Sequence, residues 1–142
     1  MDVTFAIDRL KANVAGLGIK SIAGAAALDA VDDNTIATPS LIVVPLAESA
    51  EPNSLVGATS QRITQAFGVV FVVSNLRDVA GAAAAQTLAP LRLAVRAALT
   101  GWAPLPENGE QISFTSGRLL SFGNGRLIWA DDFALRTYFR AV

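Results

Sequence analysis

The residues that could do chemistry in this chain are its carboxylates, above all the adjacent pairs Asp32-Asp33 and Asp131-Asp132. Paired carboxylates can act as acid and base, or bind a hard cation through oxygen ligands. Asp131 and Asp132 fall within a predicted strand, so their side chains should point to opposite faces and cannot act together on one substrate. Asp32 and Asp33 fall in a polar turn without another ligand at a suitable spacing. We interpret the first pair as a solvated turn and the second as surface or interface charges.

Histidine and cysteine are both absent from the 142 residues. Their absence excludes disulfides and thiol nucleophiles, and it removes the commonest general base at neutral pH and the usual zinc ligand. Gly16 and Gly18 lack the third glycine and the strand-turn-helix context of a dinucleotide fingerprint, and no GxxxxGK phosphate-binding sequence occurs. The sequence therefore predicts no catalytic residue, no metal and no cofactor.

Composition favours a protein that associates with itself. The length fits one domain spanning residues 1–142. Eleven basic and twelve acidic residues give a net charge of -1, which disfavours a surface built to hold a nucleic acid backbone. Apolar residues make up 52% and charged residues only 16%, which is typical of an alanine-rich chain or of a subunit that buries apolar surface against other copies. We expect a homo-oligomer.

The amino-terminal segment is unlike a signal peptide, because it is amphipathic and carries Asp2 and Asp8. No apolar run approaches the roughly 20 residues that a membrane helix needs. These observations predict a cytosolic protein that does not contact a membrane.

Residues 61–100 form the segment around which the other elements are organised. The run Val69–Val73 is apolar without alternation, which predicts a central strand covered on both faces. A long amphipathic helix is predicted to follow, from an N-cap at Asp78 to Gly101. Because proline interrupts the helical hydrogen bonds, a kink or a break into two helices is expected at Pro90.

The rest of the chain alternates helical and strand patterns, which makes the fold class α+β. Before the central strand, we predict a helix at 3–15, a strand at 19–23, helical turns at 25–31, a strand at 40–46 and an exposed loop at 48–60. After the long helix, we predict an extended connection at 102–117, a strand at 118–122, a tight turn at 123–125 and a strand from 126 onward. Pro45 marks a sheet margin or a bulge, and a second bulge is expected near Asp131 and Asp132.

Several stretches resemble the tail terminator proteins of long-tailed bacteriophages, also called tail completion proteins. The similar stretches are LIVVPLAESAEPN at 41–53, QRITQAFGVVFVVSNLRD at 61–78, LAPLRLAVRAALTGWAP at 88–104 and GRLLSFGNGRLIWADDF at 117–133. They cover most of the chain in the family's order. They consist of core positions and loop residues, with no catalytic motif among them.

The resemblance implies a mixed, mostly antiparallel sheet of about five strands with two main helices packed on one face. It implies a structural virion protein that forms a hexameric ring at the head-proximal end of the tail and assembles in the host cytoplasm. Such a ring caps the tail tube, stops its polymerisation and joins the tail to the neck or connector protein. DNA only passes through its lumen.

On this basis, two groups of polar residues are assigned by position and polarity. A loop that faces the tube or the neck is predicted to use Glu48, Glu51, Asn53 and Arg62. Contacts between subunits are predicted to use Arg92, Arg96, Asp131, Asp132 and Arg136. For each residue, a merely solvated surface is the alternative.

Three other classes of protein stay open from the sequence. One is another head-tail connector or neck protein, which would share the ring geometry but contact the connector. The second is an enzyme with a carboxylate or arginine site, which the lack of His and Cys disfavours. The third is a small ligand-binding α+β domain, which a monomer or dimer with a filled apolar pocket would favour.

Overall fold

The computed structural model describes residues 2–32, 35–74, 82–107, 109–123 and 125–141. Within these ranges, the α-helices are α1 at Thr4–Val14, α2 at Leu28–Asp32 and α3 at Ala82–Leu99. The strands are β1 at Ser21–Ala23, β2 at Ser40–Ala50, β3 at Thr59–Ser74, β4 at Ser113–Gly123 and β5 at Arg126–Ala141. Single 3₁₀ turns at Ala15–Leu17 and Ala25–Ala27 follow α1 and precede α2.

The strands form one mixed sheet in the order β1-β2-β3-β5-β4. β1 runs parallel to β2, and the other neighbouring pairs are antiparallel. β3 and β5 pair along their whole length, from Thr59 opposite Ala141 to Ser74 opposite Arg126. The apolar run Val69–Val73 is buried in the central strand β3, which confirms the sequence-based prediction.

Helices on both faces of the sheet explain the uninterrupted apolar run in β3. Phe67 and Phe71 belong to a core cluster with the apolar side chains of α1 and α3. Val70 and Val72 point the opposite way and form a smaller cluster that includes Val31 of α2. The two main helices thus lie on one face of the sheet, as predicted, and the short α2 lies on the other.

The half of β3 that precedes Phe67 lies in a three-stranded extension of the sheet, called the arm below. Residues 59–66 of β3 are half-buried, whereas residues 67–73 are buried. In the arm they pair with residues 47–50 of β2 and 134–141 of β5. The loop between β2 and β3 lies at the end of the arm.

β2 is longer than predicted, because it continues through a bulge. Its pairing with β3 shifts between Pro45 and Ala47 and then continues to Ala50 opposite Ile63. The bulge predicted at Pro45 is therefore confirmed. The predicted loop at 48–60 is wrong at both ends, since only residues 51–58 lie outside the strands.

The last two strands also differ from the prediction. β4 begins at Ser113, so the predicted connection at 102–117 is shorter. The bulge predicted near Asp131 and Asp132 lies on β4, where the pairing with β5 skips Thr115 and Leu120. β5 itself stays in register with β3.

α3 is one continuous helix with Pro90 inside it. Of the two alternatives predicted at Pro90, the break into two helices is wrong and the kink stays a prediction. Three predicted features lie outside the described residues: the N-cap at Asp78, the turn position Asn124 and the second aspartate of the first pair, Asp33.

Candidate functional site

Arg92 and Asp131 form a buried ion pair between α3 and β5. The side chain of Asp131 is 0% exposed and that of Arg92 is 25% exposed. Arg92 donates from Nη2 to Oδ1 at 2.9 Å and from Nε to Oδ2 at 3.0 Å. Because a two-pronged bond fixes the orientation of both groups, this pair holds α3 against the sheet.

Trp129 and Gly117 enclose this ion pair. Trp129 donates from Nε1 to Asp131 Oδ1 at 2.9 Å, and Arg92 Cζ lies 4.5 Å from the centre of the tryptophan ring. At Gly117 of β4, an added Cβ would stand 2.5 Å from Asp131 Oδ1 and 2.9 Å from Arg92 Nη2. Both carboxylate oxygens therefore have donors within the subunit, and position 117 has no room for a side chain.

Asp131 is not a surface charge of the subunit, contrary to that part of the interpretation from sequence. Asp131 points from β5 to the face of the sheet that carries α3. There its carboxylate pairs with Arg92. The contact of Asp131 with another subunit stays a prediction. Because the side chain is buried, it has no surface on which a second subunit could bind it. Asp132 points to the opposite face, as predicted, and accepts a hydrogen bond from Arg118 Nη1 at 2.6 Å.

Arg62 lies at the centre of a partly exposed polar cluster on the arm. This arm cluster consists of Glu51, Arg62, Glu110, Arg136 and Tyr138. Nη2 of Arg62 lies 3.4 Å from Tyr138 Oη and 3.9 Å from Glu110 Oε1. Its Nη1 lies 3.8 Å from Glu51 Oε1. Tyr138 donates to Glu110 Oε1 at 2.9 Å, and Arg136 Nη1 lies 3.9 Å from Glu110 Oε2. Two cations thus share one carboxylate.

The neighbours of Arg62 favour its charged form. The hydrogen bond with Tyr138 is the largest cause that raises the pKa of Arg62 above its ordinary value, and the carboxylates of Glu51 and Glu110 act in the same direction. These side chains keep part of their surface in contact with water, so each ion pair contributes little to folding. The cluster can therefore exchange its partners for those of another protein at little cost in stability.

Asn53 organises the loop between β2 and β3. Its Nδ2 donates to the carbonyls of Leu55 and Ala58, both at 2.9 Å. Its Oδ1 accepts from the amide of Ser60 at 2.7 Å. The loop folds around this side-chain amide and leaves Val56 104% exposed beside the exposed Leu55. Sequence reasoning missed this apolar tip, although two adjacent apolar residues in an otherwise polar loop were a usable signal.

The structure brings together the predicted loop group and divides the predicted subunit group. Glu48 lies in β2 and accepts from Gln65 Nε2 at 2.9 Å, so all four members of the loop group lie on the arm or its loop. In the second group, Arg136 also lies on the arm. Arg96 instead extends from α3 toward β4, with its Cζ 4.1 Å from the centre of the Phe114 ring. No shared surface unites the second group, and its role in subunit contacts stays a prediction.

Over the parts of the chain that the structure describes, no three His, Cys, Asp or Glu side chains lie close enough to hold a metal ion. In the same residues, no helix is long and apolar enough to cross a bilayer.

A depression of about 300 Å³ beside α1 is lined by Asp2, Phe5, Gln65, Pro104, Leu105 and Leu135.

The fold defines a class of protein, an α+β domain built on a five-stranded mixed sheet, here with a buried ion pair under its long helix. Residues 1–141 match the family model described as phage tail terminator protein. The chain belongs to this family, as the resemblance predicted, and it is a structural protein of the phage tail. It is therefore a virion component that assembles with other tail or head proteins.

Comparison with solved structures shows the same fold in a chain of a virion particle. A chain from a structure titled "Virion of native gene transfer agent (GTA) particle" matches with a TM-score of 0.55 and 16% identity. The match covers 94% of this chain and 92% of that chain. At this identity, the likeness concerns the fold alone. No curated protein matches the chain.

Proposed function

We propose that this chain is the ring-forming terminator of a tail, a single-domain subunit of a homohexamer at the head-proximal end. The ring caps the tail tube, stops its polymerisation and provides the surface that joins the tail to the neck or connector protein. DNA passes only through the lumen, and assembly takes place in the host cytoplasm. The observation that carries this proposal is the match to the tail terminator family over residues 1–141.

The proposed mechanism is steric. Closure of a ring buries the sides of each subunit against its neighbours and leaves two annular faces that differ. One face fits the last layer of the tube, and the other face does not accept a further layer. The end of the tube is thereby converted into a surface for the neck, without a chemical step.

The arm is proposed to supply one annular face. Its loop presents Leu55 and Val56 to solvent, and the bonds of Asn53 hold that loop in one shape. Beside it, Arg62 and Glu51 offer charges of both signs. A preformed apolar tip with a polar rim is the composition of a protein-binding surface.

A capping assay tests this assignment. Purified tail tube protein is polymerised with wild-type chain or with the double variant Leu55→Ser/Val56→Ser. Wild type should give shorter tubes in electron micrographs as its concentration rises, whereas the variant should leave growth unrestricted. Since both side chains are exposed, the variant should unfold like wild type. Leu17→Ser, at an exposed position after α1, is the matched control and should cap normally.

The outcomes separate the site from the function. If the double variant caps as well as wild type, the tip is not the tube contact, although the family role stands. Wild type that binds purified connector protein but neither binds nor limits tubes would instead identify a neck adaptor. The mass of the wild-type oligomer, from light scattering across concentration, tests the hexamer separately.

A further inference from the structure

β4 is an edge strand with an apolar outer surface. It is the last strand of the sheet, and among the described strands it pairs with β5 alone. Leu119, Leu120 and Phe122 are 52%, 47% and 44% exposed, and Arg118 is the one charged residue of the strand. Natural edge strands are protected against association by charges, prolines or a covering element. β4 has bulges, but it contains a single charged residue and no proline. This composition indicates that a partner covers it.

The apolar surface continues from β4 onto α3. Leu119 pairs with Trp129, and the ring of Trp129 lies against Arg92 of α3, so the strand and the helix adjoin. Leu93, the next residue of the helix, is 69% exposed. Both charged residues of α3, Arg92 and Arg96, pack on rings of the sheet. The outer face of this helix therefore carries no charge, unlike that of an ordinary surface helix.

The opposite edge of the sheet has a complementary character. β1 covers β2 only along Ser40–Ile42. From Val43 to Ala50, no strand among the described residues lies on the outer side of β2. At the bulge, residues 45–48 line an open depression of about 340 Å³, where Leu46 is exposed. Glu48 is the one charge of this segment and is opposite in sign to the single arginine of β4.

We propose that β4 and the adjoining face of α3 dock against the outer edge of β2 in the next copy of this chain. The contact joins two different patches that lie on opposite edges of one sheet. Repetition of such a contact closes a ring or extends a filament, whereas contact between identical patches stops at a dimer. The inference rests on the proposed ring and identifies the two surfaces that would close it.

Charge disfavours the symmetric alternative, in which β4 pairs with β4 of another copy. Arg118 is the middle residue of the 11-residue strand, so centred antiparallel pairing places it opposite its own copy. Arg118 bonds Asp132 of its own subunit but stays 50% exposed, and like charges directly opposite each other destabilise a strand pair. Docking on β2 instead brings Glu48 of the next copy to the guanidinium, which has donors left after its bond from Nη1 to Asp132. Because Pro45 and the bulge interrupt the β2 ladder, side-chain packing in the depression supplies most of this contact.

Cross-linking tests the contact directly, because the chain has no cysteine of its own. Phe122→Cys and Leu46→Cys chains are co-expressed with different tags and treated with a short bismaleimide. The expected result is a mass shift to a covalent dimer that contains both tags, with no dimer from either variant expressed alone. In the matched control, Leu17→Cys replaces Leu46→Cys at a similarly exposed position and should give no dimer.

Each other outcome is decisive. A covalent dimer from Phe122→Cys alone would show symmetric pairing of β4 and overturn the inference. Rings by light scattering without a mixed dimer would also overturn it, but would leave the proposed ring intact. Mixed dimers that extend into open chains would support the contact and count against a closed ring. Wild-type monomers at every concentration, with and without tube protein, would overturn both proposals.

Discussion

Two arginine–carboxylate groups lie along the paired strands β3 and β5, and they differ in almost every physical respect. Between α3 and β5, Nη2 of Arg92 lies 2.9 Å from Oδ1 of Asp131, and the side chain of Asp131 is 0% exposed. On the arm, Arg62 lies 3.9 Å from Glu110, and the two side chains are 36% and 40% exposed. The strand pair thus has one end that holds the fold together and another end that is available to partners.

The difference follows from the cost of removing charges from water. Asp131 has lost its hydration and depends on the donors of Arg92 and Trp129, so loss of either partner leaves a buried charge or donor unsatisfied. Arg62 and Glu110 retain water on one side, and salt screens their attraction. Sequence alone does not distinguish the two groups, since all four residues are ordinary charged side chains.

The largest expected effect is that of Asp131→Ala. Without the carboxylate, the guanidinium of Arg92 and the indole N–H of Trp129 lose their acceptor in the core. The free energy of unfolding should fall by about 3–5 kcal/mol, measured by urea denaturation of the purified chain. A loss below about 1 kcal/mol, as expected of an exposed pair, would contradict the distinction between the two ends.

A double variant shows whether the charge or the packing is responsible. Arg92→Met/Asp131→Leu replaces the pair by apolar side chains, which at buried pairs is often neutral or stabilising. Its free energy of unfolding should lie well above that of Asp131→Ala. If the double variant is as unstable as the single variant, shape at this site matters more than the unsatisfied charge.

Gly117→Ala should give an intermediate effect. The new Cβ would stand 2.5 Å from Asp131 Oδ1 and 2.9 Å from Arg92 Nη2, so the ion pair or β4 must shift. Overpacking of this kind costs about 1–3 kcal/mol, again measured by urea denaturation. Gly16→Ala is the matched control, because its Cβ would meet nothing within 4 Å. Equal stability of the two variants would show that β4 is free to move away from the ion pair.

The central strand could be predicted from sequence because its signal is local. Burial on both faces leaves an unbroken run, Val69–Val73, that can be read without knowledge of the rest of the fold. The opposite orientations of Asp131 and Asp132 were predictable for the same reason, since side chains alternate along a strand.

The buried ion pair could not be predicted, because its partners lie far apart in the chain. Arg92 is 39 residues from Asp131, and only the register of β5 under α3 decides which aspartate is buried. The length of β2 depended likewise on a strand elsewhere, since Pro45 interrupts the pattern but pairing with β3 resumes at Ala47. The role of Asn53 emerges only once the loop is folded around it.

The smallest expected effect on stability is that of Arg62→Ala, which tests the other end of the comparison. The free energy of unfolding should be nearly unchanged, because the ion pairs of Arg62 keep contact with water. Because the pKa of Arg62 is raised further above its already high value, salt is the informative variable. At 1 M salt, where the screening length is about 3 Å, the difference from wild type should vanish, whereas the loss caused by Asp131→Ala should persist. Thermal unfolding at low and high salt measures both.

Arg62→Lys is the control, because it keeps the charge but loses the fork of the guanidinium. If Arg62→Ala destabilises the chain as much as Asp131→Ala, the arm cluster is structural and the contrast between the two ends is wrong. If Arg62→Ala is stable but fails in the capping assay, the cluster contacts the tube or the neck. Normal capping by a stable Arg62→Ala variant would leave the cluster as solvated surface, and the contact would then lie with the apolar tip of the loop.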